Sequence, residues 1–382
     1  MPSNTKSYDI LVVGAGPSGL NTAFGLARNG YNVLIIEARK EVGKGIVCAG
    51  VVSEEVFQKF DLTRNSIIRE INYAEVRSPY GTSVSYKEEK PFAYVIDRKL
   101  FDHELQEKAI SAGAEIQLDT EVKSVEIKND GVEVFAESNG TKVFYADIIV
   151  LATGIRTDLS RKLGLGYPKR FLKAIQEEIS FSTAMPLTVF VGNDISDSAF
   201  AWTIPSRDGL LRVGLMAEDD CIRRFEKFTV KNFPGTKFNN PKVKPIAQGL
   251  VEGTFRDRCI VVGESAGQVK TTTGGGIYWG LLCSEIAVDV INKAFIKGDF
   301  SAGTLSEYEK RWHELIGDEI RAGLTVRRFC SYLGDKQIER IIQLARTDGL
   351  IDFIRRNAVF DWHGRTLLNL LKMDSLREIF RF

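Results

Sequence analysis

The hexapeptide Gly14-Ala15-Gly16-Pro17-Ser18-Gly19 has the residue types and spacing to hold a pyrophosphate. In such a turn Gly14 permits the tight bend, Gly16 lets the backbone approach the phosphates, and Gly19 allows a helix to pack closely on the preceding strand. Pro17 and Ser18 complete the turn, and the free N–H groups at the start of the helix face the phosphate charge. Glu37, with Ala38 beside it, closes the next apolar run, Val33 to Ile36. A carboxylate there is placed to accept a hydrogen bond from a ribose 2′-OH, and it disfavours a 2′-phosphate. The chemistry implied is dinucleotide binding, with NAD and FAD both open at this point and NADP disfavoured.

Three later segments favour FAD. Residues 149–154 read Ile-Val-Leu-Ala-Thr-Gly, an apolar strand opening into a small-residue turn at Ala152, Thr153 and Gly154. Residues 259–267, Cys-Ile-Val-Val-Gly-Glu-Ser-Ala-Gly, supply a second acidic glycine turn: Gly263, Glu264 and Gly267 can meet the ribityl and pyrophosphate oxygens of an extended cofactor. Thr271-Thr272-Thr273-Gly274-Gly275-Gly276 then precedes an apolar helix beginning near Ile277. Glycines leave a flat ring free to lie against the backbone, and a helix N-terminus there stabilises negative charge on a reduced ring. A simple NAD dehydrogenase needs none of this.

The elements that must position these residues follow from periodicity. Tyr8 to Val13 reads as a buried parallel strand, Leu20, Ala23, Phe24 and Ala27 recur at helical spacing, and Asn29-Gly30 ends that helix. Such a switch of period marks an α/β unit with a parallel sheet. Residues 41–53 read as a loop, 70–96 as a hairpin around Pro79-Tyr80-Gly81, and Lys99 to Ala112 as a helix. Residues 170–250 carry β-branched and aromatic residues and many turns, as in an antiparallel sheet inserted into the first domain. From Leu305 onward the pattern is helical, with breaks at Gly334, Gly349 and Gly364. The expected architecture is therefore α/β. A discontinuous Rossmann-like cofactor domain takes 1–70, 97–168 and 251–300, a β-sheet substrate domain takes 71–96 and 169–250, and a helical region takes 301–382.

Composition removes other classes. The 51 Lys and Arg against 50 Asp and Glu give a net charge of +1, so nothing favours a nucleic-acid partner. Five scattered cysteines do not make a disulfide scaffold and point to a reducing, cytoplasmic compartment. They also lack iron–sulfur cluster spacing, and His103, His313 and His363 form no metal-ligand pattern. The polar start of the chain does not read as a signal peptide.

Taken together, residues 8–37, 94–105, 146–154 and 258–290 resemble the flavoprotein class typified by para-hydroxybenzoate hydroxylase. In that class an arginine at the position of Arg98 sits close to the cofactor. Glu264 departs from the usual aspartate. Within the class, Val42-Gly-Lys-Gly-Ile-Val-Cys48-Ala49-Gly50 and Phe200-Ala-Trp202-Thr-Ile204-Pro205 closely resemble the geranylgeranyl reductase family, whose members saturate isoprenoid double bonds. The resemblance implies that Cys48, Ala49 and Gly50 lie near the flavin, with Cys48 as proton donor or as a residue that shapes the pocket. It also implies that Phe200, Trp202, Ile204 and Pro205 line the substrate cavity. The family pattern usually has Tyr and Phe where this chain has Phe200 and Ile204, which removes a hydroxyl as proton donor at position 200.

The implied partners are a long isoprenoid lipid and an external electron donor, NAD(P)H, ferredoxin or another reductase. A flavin monooxygenase, a halogenase and a quinone-linked electron-transfer flavoprotein are the competing readings. In the tail, Leu344, Leu350, Ile351, Phe353 and Ile354 stand beside Arg355 and Arg356, and Leu367, Leu368, Leu370 and Leu371 precede Lys372. Amphipathic helices of this kind either pack on the protein's own core or rest at a membrane interface.

Overall fold

The computed structural model describes residues 7–347 and 350–370. Strand β1 (Ser7–Val13) leads through the glycine turn into helix α1 (Pro17–Arg28), and β2 (Val33–Ile36) returns beside it. The two strands pair in parallel, Ile10 opposite Val33 through Val13 opposite Ile36. Both are apolar on both faces because both faces are covered. Ile10, Val12, Val33 and Ile35 join a core shared with the helices, whereas Leu11, Val13, Leu34 and Ile36 join a second core on the other face.

The strand Thr141–Leu151 pairs in parallel with β1, and Cys259–Val261 pairs in parallel with that strand in turn. Glu115–Gln117 extends the other side beyond β2. Helices α1, Arg98–Ser111 and Ile277–Lys297 supply Leu20, Phe101, Leu105, Leu281 and Ile291 to the first core. The strands Glu121–Ile127 and Val132–Glu137 form an antiparallel extension whose Val125, Val132 and Val134 fill the second.

Residues 170–248 form the antiparallel sheet expected from their turns: Lys242–Gln248, Arg170–Ser180, Leu210–Ala217, Ser196–Pro205 and Leu187–Gly192 lie side by side. The hairpin Tyr73–Arg77 and Ser83–Lys87 joins at the far edge, through a parallel pairing with Leu187–Gly192. Val51–Val52, Ala93–Ile96 and Ile67–Ile71 form a small third sheet, so residues 51 and 52 are strand where loop is expected over 41–53.

The tail is led by a helix, Ala302–Cys330, that buries Leu305, Tyr308, Trp312, Ile316 and Ile320 against the first core. Full burial of such side chains is worth about 1.5–3 kcal/mol each, so this helix is integral to that core. Three shorter helices follow, Asp335–Thr347, Leu350–Asn357 and Gly364–Leu370. Gly364 begins a helix instead of breaking one: a Cβ there would stand 2.7 Å from a Glu319 carboxylate oxygen and 2.8 Å from the Ala322 Cβ, so only glycine allows this approach. Leu344, Phe353, Ile354, Leu367 and Leu370 pack with one another and with Val84 of the hairpin. Leu371 and Lys372 lie outside the described residues. Among the described residues no helix is long and apolar enough to cross a membrane.

Candidate active site

The glycine turns are built by backbone contact. Gly14 has φ +108°, and a Cβ on it would stand 2.4 Å from the Ala152 carbonyl oxygen. A Cβ on Gly19 would stand 2.1 Å from the Gly14 carbonyl oxygen and 3.0 Å from the Ala152 Cβ. Gly16 is the opposite case. It is the N-cap of α1, and among the described residues no heavy atom lies within 4 Å of the place its Cβ would occupy. The space above the helix N-terminus is thus open where a pyrophosphate would bind, which is the fit an FAD-binding turn requires.

Glu37 is buried at the end of β2 and accepts the Ala15 amide on Oε2 (2.7 Å) and the Arg39 amide on Oε1 (2.9 Å). It braces the turn. Ala38, next to it, is exposed. Ser18 is held between two glycines, since a Cβ on Gly263 or on Gly280 would lie 2.7 or 2.3 Å from its hydroxyl. That contact brings the second acidic turn against the first. Thr153 caps its own turn by donating to the Arg156 carbonyl (2.6 Å), and Gly154 follows in the left-handed region at φ +62°. Gly267 is left-handed too, at φ +71°, under Val251. Glu264, one carbon longer than the usual aspartate, reaches Lys244 of the antiparallel sheet (2.8 Å).

Cys48 is assembled from distant parts of the chain. Its Sγ accepts the Gly50 amide (3.3 Å) and a hydrogen bond from Arg98, and Arg98 is held by two bonds to Asp102 (3.1 and 2.9 Å). Burial by itself would raise the thiol pKa, but the positive charges of Arg98 and Lys244 outweigh it and hold Cys48 below the ordinary thiol value. Burial likewise opposes the Arg98 charge, yet Asp102 and Cys48 raise its proton affinity, so it stays a fixed cation.

The three carbonyls of Cys48-Ala49-Gly50 are each anchored. Gln176 Nε2 donates to the Cys48 carbonyl (3.2 Å), Arg212 Nη1 to that of Ala49 (2.8 Å), and the Ile96 amide to that of Gly50 (2.8 Å).

Strand alternation sets Phe200, Trp202 and Ile204 on one face, and all three belong to an apolar cluster with Ala49, Phe92, Met216, Ile246 and Phe360. Phe200 and Trp202 meet edge to face at 6.0 Å. Pro205 is one position out of phase with them and ends the strand. The cluster reaches the 271–276 loop, because a Cβ on Gly274 would touch Ile246 Cδ1 at 2.9 Å and Met216 Sδ at 3.3 Å. Gly276 caps the helix that begins at Ile277, and among the described residues no side chain bonds that N-terminus.

A second polar network fastens the 270–276 loop from behind. Lys270 and Asp361 form a buried ion pair, and Asp361 also accepts the Ser53 hydroxyl. Gly275 packs on the Lys270 side chain, its Cβ position 3.8 Å from Nζ. Arg327 donates to the Thr271 and Thr272 carbonyls (2.6 and 3.0 Å) and to that of Ser198 (2.7 Å). His363 Nδ1 lies 2.9 Å from the Thr272 hydroxyl, and burial together with the Lys270 charge pushes its pKa down to about 4.

Asp102 had a signal in the sequence, since it stands four residues after Arg98 on a helix, where opposite charges pair. Gln176, Arg212, Lys270 and Asp361 had none, because their partners lie scores of residues away.

A family profile described as FAD dependent oxidoreductase matches residues 9–168, and a second with the same description matches 90–277. A digeranylgeranylglycerophospholipid reductase of Methanosarcina acetivorans is 30% identical over 400 residues, covering 98% of each chain. Among solved structures, a geranylgeranyl bacteriochlorophyll reductase-like protein of Thermoplasma acidophilum superposes with a TM-score of 0.85 at 22% identity over 99% of both chains. A p-nitrophenol 4-monooxygenase of Pseudomonas putida superposes with a TM-score of 0.71 at 17% identity, over 98% of this chain and 99% of that one. At those identities the two structures share the fold, which is that of the para-hydroxybenzoate hydroxylase class.

Proposed function

The chain belongs to the digeranylgeranylglycerophospholipid reductase family of FAD-dependent oxidoreductases, and we propose from that membership that it saturates C=C bonds in the geranylgeranyl chains of a membrane lipid or prenyl precursor. The observation that carries this reading is the adjacency of an acidified thiol to an apolar cluster. Cys48 is held by Arg98, and its neighbour Ala49 packs in the cluster with Phe92, Phe200 and Trp202, the surroundings a hydrocarbon chain requires.

FAD, held by the Gly14–Gly19 and Gly263–Gly267 turns, supplies a hydride from its reduced N5 when bound. The chain's own residues supply the rest. An isolated alkene has no carbonyl to polarise, so positioning carries much of the barrier reduction. The aromatic pair Phe200 and Trp202 confines the chain and excludes water. Cys48 donates the proton to the second alkene carbon, and the thiolate left behind is stabilised by Arg98, itself fixed by Asp102. Solvent then reprotonates the sulfur. The two electrons come from an external donor, NAD(P)H, a ferredoxin or another reductase.

The test is anaerobic mass spectrometry of a geranylgeranyl glycerophospholipid after incubation with dithionite-reduced, FAD-loaded protein. A gain of two hydrogens per saturated bond, lost without protein, is the expected result. Cys48→Ala should slow it by about two orders of magnitude, the low end for a general acid. Full turnover by that variant would remove the thiol from the mechanism. No mass gain on phosphate, glycerophospholipid or quinone headgroups would overturn the reading as a whole.

A further inference from the structure

One row of the antiparallel sheet joins the apolar cluster to the Cys48 loop. Trp202 pairs with Gly214, and Gly214 pairs with Gln176, so the three stand in line across adjacent strands. Trp202 and Gln176 are two strands apart and would ordinarily be separated by the side chain between them. Here that position is glycine, and a Cβ on Gly214 would fall 2.3 Å from the indole Cε2 and Cζ2. The indole therefore lies across the middle strand and donates its Nε1–H to Gln176 Oε1 at 3.1 Å. The same amide uses its other end to donate to the Cys48 carbonyl at 3.2 Å. An amide can do both, accepting at its oxygen and donating at its nitrogen. The next row repeats the device with charge: Arg212, opposite Ile204 and Glu178, bonds Glu178 at 2.9 Å and the Ala49 carbonyl at 2.8 Å.

We propose that Gln176 is a positioning residue that couples the wall of the apolar cluster, through Trp202, to the backbone carrying the Cys48 thiol. A hydrocarbon chain lying against the indole and the thiol that serves it are then set by one side chain, so the sulfur keeps its register relative to the bound chain. Gly214 is a necessary part of the device, because it gives the indole its path. The turnover consequence rests on the reductase reading; the coupling itself does not.

Three variants of the full, FAD-loaded chain separate the two bonds. Gln176→Leu removes both. Gln176→Glu retains an acceptor for the indole but cannot donate to the Cys48 carbonyl. Trp202→Phe retains an aromatic ring and the bond to Cys48 but removes the indole N–H. Without lipid, hydrogen–deuterium exchange over residues 46–52 should quicken about fivefold in both Gln176 variants, the effect of losing one net hydrogen bond. It should quicken about twofold to threefold in Trp202→Phe, where the amide keeps its bond to the Cys48 carbonyl but loses the indole that holds it. A wild-type rate in Trp202→Phe would overturn the coupling. With a geranylgeranyl glycerophospholipid as probe, kcat should fall about tenfold in Gln176→Glu while KM stays within about twofold, since the cluster wall is kept and only the thiol is displaced.

Wild-type exchange over 46–52 in both Gln176 variants overturns the proposal. So does an exchange increase spread evenly over the whole chain, which would mark Gln176 as a general structural residue. If the unmodified protein fails to reduce the lipid, the reductase reading falls while the exchange pattern still decides the coupling.

Discussion

The cofactor turn and the cysteine site are built in opposite ways. At the turn, Gly14, Gly16 and Gly19 act by lacking side chains: Gly14 and Gly19 lie against the backbone of the same unit and against Ala152, and Gly16 leaves open space. At the cysteine, four elements converge through side chains: Arg98 and Asp102 from one helix, Gln176, Trp202 and Arg212 from three strands. The 270–276 loop is held in the second manner, by Lys270, Asp361, Arg327 and His363. A backbone-built site is fixed by sterics and has one failure mode, whereas a side-chain-built site is fixed by charge and hydrogen bonds and can be tuned one partner at a time.

The sharpest way to break this contrast is to place a side chain in the turn. Gly19→Val would drive a Cβ to within 2.1 Å of the Gly14 carbonyl oxygen. That oxygen is backbone and has little room to yield, so the loss should be about 4 kcal/mol, beyond ordinary overpacking. FAD retained per chain after gel filtration, together with urea unfolding, measures it. Stoichiometric FAD in this variant would show that the turn can relax.

Next in size is the buried pair behind the loop. Asp361 is 2% exposed and Lys270 is almost as buried, so Asp361→Ala leaves an ammonium without its partner. The expected cost is about 3–4 kcal/mol. The double change Lys270→Met with Asp361→Leu should fall within about 1 kcal/mol of the parent, because it removes both charges together. If the double variant is as unstable as the single one, shape and not charge holds the loop.

The smallest effect is a pH dependence. The ordinary histidine value is 6.5, and His363 is pushed down to about 4 in the folded chain by burial and by Lys270. A depressed pKa means that the unfolded chain binds the proton more readily, so stability falls as pH drops below about 6.5 and the loss is complete below about 4. Between pH 7 and pH 5 the loss should be about 2 kcal/mol. Urea midpoints at the two pH values read it, and His363→Gln should flatten the difference. An unchanged slope in that variant would assign the acid sensitivity to another group.

How much of this was legible in the sequence follows from the same contrast. Gly14, Gly16, Gly19 and Glu37 work within one strand–turn–helix–strand unit, so their spacing is a fixed consequence of local geometry and survives as a readable pattern. The hairpin at 73–87 and the antiparallel run at 170–248 were legible from turn residues and alternation. Cys48 and Trp202 were visible only through resemblance, because neither has a local partner that gives it meaning. Gly364 was misread as a break, since its reason for being glycine is the close approach of Glu319 and Ala322, which lie in a different helix.

The sequence by itself determined that this chain binds a dinucleotide cofactor on a parallel sheet, since glycines and a strand-end carboxylate can be read at short range. Tertiary structure alone decided what surrounds the thiol. Arg98 becomes an acidifying neighbour, Gln176 a bridge and Asp361 a counter-ion only when elements far apart in the chain are packed together. Electrostatic and hydrogen-bonding roles depend on distances of a few ångströms, which folding sets and linear spacing does not.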